Sequence, residues 1–225
     1  KAITVVAARG VHAAITATAA NTNAITVNAG ADDRVVLRNL YLNGEGIGLN
    51  GIDWNSARAL LVDDLVITDF QTGLGRVQLD DVEVRMLMRD SLLRSNQTAL
   101  FLTADQGTIE SRIEHSTAEL GTVGFMSSQG TQTTIVDSSA SGNVGSGFLQ
   151  ASTGELVLIR CSATGNGTGV EAFGPQGAVV VSDSVISFND LALKPAPGAT
   201  LLTRSNNTVT RNGAPGAFTG TVPAI

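Results

Sequence analysis

Large rings are scarce in this chain: 4% of its 225 residues are aromatic, with one Trp and one Tyr, and only 15% are charged. A core with so few rings must be narrow and filled by aliphatic and small side chains. The single cysteine, Cys161, excludes an intramolecular disulfide and any paired-cysteine zinc site. No apolar run approaches the roughly 20 residues that span a bilayer, and no signal-peptide pattern is visible, so no membrane insertion is expected. Lys and Arg do not cluster, and the net charge is −6 with a pI near 4.8. Nucleic acid is therefore not an expected partner, because its affinity comes from basic residues that displace counterions. The two histidines, His12 and His115, lie far apart with no nearby Ser or Cys array, so a catalytic triad has no support.

What the chain does contain is a repeat. The segment from Leu156 to Val170 reads apolar, x, apolar, x, x, small, x, apolar, x, x, Asn, then Gly and an apolar residue. Val179, Val181, Ser184, Ile186, Asn189 and Leu193 repeat it, and Ile135, Ser138, Ala140, Asn143 and Phe148 precede it. The position held by Cys161 recurs as Leu40, Leu65, Ser91, Ser116, Ser138, Cys161, Ser184 and Asn207, at spacings of 25, 26, 25, 22, 23, 23 and 23. Within each repeat, apolar and polar residues alternate with period two, the mark of strands with one buried face. Repeats of this length that cannot bury a face alone must stack.

The expected fold is all-β: a single-domain right-handed parallel β-helix, a solenoid of about nine coils of 22–26 residues each over residues 1–212. Right-handedness follows from the strong preference of parallel crossovers. Residues 213–225 lose the period and are expected to form an irregular tail that covers the last coil. Residues 44–55 and 70–84 belong to longer coils and are expected to bulge as loops on one edge. The N-terminus starts inside a strand-like run without a polar cap. Further residues are thus expected before Lys1 in the natural protein, or self-association through that uncapped coil.

This coil pattern resembles the right-handed parallel β-helix proteins of the pectate-lyase-like superfamily. The stretches Lys1 to Ala7 and Ala24 to Leu40 are similar to a group of secreted bacterial β-helix proteins without established activity. The resemblance covers almost the whole chain and implies export to the medium or cell surface and a carbohydrate-related setting. Pectate lyases of the superfamily carry calcium-binding aspartates and a catalytic arginine on one sheet. No stretch here matches such a motif, so no catalytic residue is carried over.

Stacking equivalent positions gives the best polar constellation. The residue before the small inward position runs Asn39, Asp64, Asp90, His115, Asp137, Arg160, Asp183, Asn206, an outward ladder at about 4.8 Å per coil. Asp64, Asp90, Asp137 and Arg160 are candidate catalytic residues, since paired carboxyls serve glycoside hydrolysis. Asp63, Asp64 and Asp90 are candidate Ca²⁺ ligands. The favoured reading is geometric: Asp and Asn tolerate a left-handed bend repeated in every coil. The acidic stretch Asp80-Asp81-Val82-Glu83 reads as a solvated loop that could also hold a cation. Trp54, with Asp53 and Asn55, is a candidate for stacking on sugar rings, or lies at the edge of the core. Cys161 should be buried, and Asn96, Asn143, Asn166, Asn189 and Asn212 should form a ladder of stacked amides. Matches to the glycosylation pattern at Asn96, Asn166 and Asn206 are expected by chance where every bend carries Asn.

The favoured function is a non-catalytic extracellular solenoid that interacts with polysaccharide or serves as a structural or adhesin-like module. The alternative is a polysaccharide lyase, glycoside hydrolase or epimerase acting on an acidic polysaccharide. Modest insertions favour the first, because enzymes on this scaffold build a cleft from long ones, and only Arg89 and Arg160 stand near acidic residues.

Overall fold

The computed structural model describes residues 1–8, 10–11 and 13–223, so His12 lies outside it. The described residues contain no helix, and their strand pairings are all parallel. The described residues wind as a right-handed parallel β-helix of nine coils: 3–28, 34–56, 59–78, 83–104, 108–127, 131–150, 154–172, 177–195 and 200–210. Each regular coil has three strands. Coil 7, for example, consists of Gly154–Ile159, Ser162–Thr164 and Thr168–Ala172, which form its first, second and third sides.

The alternation read from the sequence sets which residues enter the core. On the first side Val35, Leu60, Met86, Ser111, Thr133, Leu156, Val179 and Leu201 stack in register and are all buried. On the third side Leu74, Leu100, Phe125, Phe148, Val170 and Leu193 do the same. Phe125 and Phe148 lie parallel, 5.6 Å between ring centres. Beside that column runs a second one of small residues: Gly51, Gly73, Ala99, Gly124, Gly147, Gly169 and Ala192. A Cβ on Gly124 would sit 2.4 Å from the carbonyl oxygen of Gly147. The recurring Gly before an apolar residue is therefore a closeness requirement of the second corner.

The first corner, between the first and second sides, explains the outward ladder. Asn39, Asp64, Asp90, His115, Asp137, Arg160 and Asp183 all have positive φ, from 46° to 57°. In the last coil the left-handed residue is Ser205 rather than Asn206. The small inward residue that follows each of them closes a hydrogen-bond relay. The hydroxyls of Ser91, Ser116, Ser138 and Ser184 donate to the carbonyl two residues back. They also accept backbone N–H groups from the preceding coil: Leu65 to Ser91 at 3.2 Å, Ser91 to Ser116 at 3.3 Å, Ser116 to Ser138 at 3.1 Å and Cys161 to Ser184 at 3.0 Å.

At the second corner the asparagines do equivalent work deeper in the core. Asn143, Asn166 and Asn189 are each at most 2% exposed. Their amides link Asn143 to Asn166 at 2.8 Å, Asn166 to Asn189 at 3.0 Å and Asn189 to Asn212 at 2.9 Å. Asn96 serves coil 3 in the same way, accepting the Phe70 N–H at 3.0 Å. In coil 5 the position is Gly121, which has no amide to offer Asn96.

The longer coils differ from expectation. Against coil 3 the register slips between Asn43 and Gly48, so the first bulge is residues 44–47, and residues 48–54 rejoin the wall; against coil 1 a second slip skips Asn55 between Trp54 and Ser56. The second is the exposed loop 79–82, because Ala59–Gln78 is continuous strand. The bulges stand at different corners rather than along one edge. The tail lies over the ninth coil: Leu202 and Thr203 pair with Gly220 and Thr221, and Phe218 packs against the core.

Candidate functional site

Among the described residues, two of the concave surfaces bring both acidic and basic side chains together. The larger, about 590 Å³, runs over the outer surface of the first side across coils 2 to 7. Leu61, Leu87 and Val157 form its floor, with Arg34, Arg85, Arg112, Glu110 and Glu155 around it. These are the polar-phase residues of the first strand, which the alternation turns outward. Most of the guanidinium groups are oriented by carboxylates: Arg85 pairs with Glu83 and Glu110 at 2.9 Å each, and Arg112 pairs with Glu114. Arg34 has no ion-pair partner among the described residues.

Next to the groove, Asp63 is stacked between Arg38 and Arg89 in strand register. Arg89 grips it with two hydrogen bonds of 2.9 and 3.1 Å, and Arg38 approaches to 2.6 Å. The Arg89 hydrogen bond, opposed by burial, holds the Asp63 carboxyl below its ordinary range. Asp63 is thus committed to two cations, which corrects its assignment as a Ca²⁺ ligand. A carboxyl whose folded value is depressed stabilises the fold above the ordinary carboxyl range and loses that contribution as pH falls through the lowered value. Asp63→Asn is expected to lower stability by about 2 kcal/mol near neutral pH, the scale of charge-assisted bonds. Urea unfolding at about pH 7 and about pH 3 should show that deficit shrinking in acid.

The smaller surface, about 470 Å³, follows the first corner. It collects His115, Asp137, Arg160 and Asp183 beside Thr117, Ser139, Ser162 and Val185. Arg160 holds Asp137 by two bonds of 2.7 and 2.8 Å, which lower the Asp137 carboxyl. His115 stands between Asp90, 3.9 Å away, and Asp137, 3.8 Å away. Two of the candidate catalytic residues, Asp137 and Arg160, are therefore brought together as an ion pair. Asp64 and Asp90 are exposed bend residues on the same ladder. Among the described residues no group of three or more His, Cys, Asp or Glu is placed to hold a metal ion. Asp80 and Asp81 lie in the exposed loop, and Glu83 is paired with Arg85.

Trp54 is a correction. It is fully buried, with the Arg76 guanidinium 5.0 Å from its ring centre, so it offers no face to a sugar. The register explains this: Trp54 lies two residues after the inward Ile52 and shares its phase. Asp53 points the other way and accepts a 2.9 Å bond from Asn23, while Asn55 is exposed. Arg76 is itself buried, and burial lowers its pKa. It donates to the carbonyls of Trp54 and Asn55 and to Gln78. Nothing in the repeat signals it, because the inward position it occupies is held by the uncharged residues Leu102, Ser127, Gln150 and Ala172 in the coils that follow.

Cys161 is 4% exposed, and burial pushes its thiol up to about 11. It should resist a thiol-directed disulfide reagent at mildly alkaline pH until the protein is unfolded. Cys161→Ser should change stability by less than about 1 kcal/mol, because serine already fills this relay in neighbouring coils. Rapid modification of the native protein would contradict the placement. Asn96 and Asn166 of the glycosylation-pattern matches are buried in the amide ladder, whereas Asn206 is exposed.

Comparison with known proteins agrees with this geometry. The sequence profile of a family described as a right handed beta helix region matches residues 77–222. Searches of the curated proteins and of the solved structures find no match.

Proposed function

Because the chain belongs to the right-handed β-helix family, a scaffold that hosts many activities, we propose that it is a non-catalytic, extracellular polysaccharide-interacting module that holds an acidic glycan along its first side. The observation that supports this reading most directly is the first-side groove, where a chain of net charge −6 gathers Arg34, Arg85 and Arg112 around an apolar floor. Guanidinium forks match carboxylate geometry, and the apolar floor suits the C–H face of a sugar ring. The paired carboxylates Glu83, Glu110 and Glu114 hold Arg85 and Arg112 in place, which lowers the entropy lost on binding.

Titration calorimetry with oligogalacturonate tests the reading. The chain should bind and release no unsaturated or reducing-end product. The double substitution Arg34→Ala/Arg85→Ala should weaken binding by about tenfold or more, and added salt should weaken it further. Unchanged binding by the variant would remove the groove from the reading, and turnover would replace it with the lyase or hydrolase alternative.

A further inference from the structure

We infer that the groove along the first corner is a second glycan site, built for a neutral, hydroxyl-rich chain. This extends the polysaccharide-interacting reading but uses none of the first-side arginines. The floor is a column of hydroxyls: Thr117, Ser139 and Ser162 pair in register on coils 5, 6 and 7, and Val185 follows on coil 8. The wall is His115, Asp137, Arg160 and Asp183, one residue per coil, each projecting from a left-handed bend. His115 and Arg160 remain more than half exposed, and Asp137 about one third.

The ligand class follows from this order. An imidazole, a carboxylate, a guanidinium and a second carboxylate alternate along the wall, so donors and acceptors alternate while most of the charge cancels. Such a wall attracts neither a polyanion nor a lone cation strongly. A sugar hydroxyl both donates and accepts, so a row of them complements the wall and the hydroxyl floor together. The rings of a glycan laid along the axis would meet one wall residue and one floor residue per coil, because a pyranose unit is about as long as the ~4.8 Å coil spacing. The Val185 methyls close the coil-8 end with an apolar contact. The Asp137–Arg160 ion pair fixes both side chains before a ligand arrives, as preorganised recognition requires.

Saturation-transfer NMR and calorimetry on the full chain, with cello- and manno-hexaose as neutral probes and oligogalacturonate as the acidic one, test the site. The decisive variant is Asp137→Gly/Arg160→Gly, since glycine adopts the left-handed bend without strain. It should weaken neutral-glycan binding by about tenfold or more and leave oligogalacturonate binding intact. The first-side variant Arg34→Ala/Arg85→Ala should do the reverse. A thermal melt of each variant establishes that the solenoid is intact, and Ser162→Glu, which puts a charge on the floor without touching the bend, supplies an independent block. Absence of neutral binding while oligogalacturonate still binds would overturn this site and leave the first-side reading standing. So would neutral binding that survives both the corner double variant and Ser162→Glu. Failure of both probes would overturn both.

Discussion

Asn166→Ala should lower the free energy of unfolding by about 4 kcal/mol, because it orphans several buried groups at about 1–3 kcal/mol each. The Asn166 amide donates to the Ala140 carbonyl at 3.0 Å and to Asn189 at 3.0 Å. Its oxygen accepts the backbone N–H of Asn143 at 3.1 Å and the Asn143 side chain at 2.8 Å. Truncation leaves the Asn143 backbone N–H without an acceptor and its side-chain amide with only the Ala118 carbonyl at 3.3 Å, in a place that excludes water. Asn166→Asp separates the two roles, since a carboxylate still accepts but cannot donate to Ala140 or Asn189. It should be at least as damaging at neutral pH. Equilibrium urea unfolding measures both changes, and a loss under about 1 kcal/mol for Asn166→Ala would show that the ladder is ornamental to stability.

Phe148→Ala should cost about 3–5 kcal/mol, the range for deleting a buried ring in a core that relaxes only partly. Phe148 is fully buried and packs against Phe125 in a chain with seven phenylalanines in all. The backbone on either side is held in ladder with Phe125 and Val170, so the walls cannot close on the cavity. Phe148→Leu keeps most of the volume and should recover more than half of the loss. Equal destabilisation by Leu and Ala would show that ring stacking, rather than filled space, is what the coil needs.

The repeat made the fold legible because each position meets nearly the same environment in every coil, so a weak local signal is repeated until it is strong. The spacings through Cys161 identified the relay position at the first corner, and the asparagine spacings identified the amide ladder. The outward aspartates suit a repeated bend, and seven positions of that ladder do occupy the left-handed region. Arg160 and His115 share it although neither residue type prefers such a bend, so their chemistry was less visible than their position. What stayed hidden were the departures from period. Trp54 was hard to place because the slip between Asn43 and Gly48 lies upstream of it, and a change of phase decides whether a side chain faces core or solvent. Arg76 was invisible because alternation assigns a face without identifying what satisfies a cation placed there. The first-side groove joins outward residues more than 100 positions apart, from Arg34 to Glu155, which only the stacked coils bring alongside one another.

Gly121 interrupts the amide ladder between coils 4 and 5. A solenoid is thermodynamically a row of nearest-neighbour couplings, and its cooperativity is only as continuous as the weakest of them. Coils 6 to 9 are tied by four consecutive amides, whereas the step from Asn96 to Gly121 keeps its backbone hydrogen bonds and the Ser91–Ser116 relay but has no amide link. Under stress the chain should part there into two blocks, and amide exchange should divide at the same seam, with slower opening on the C-terminal side.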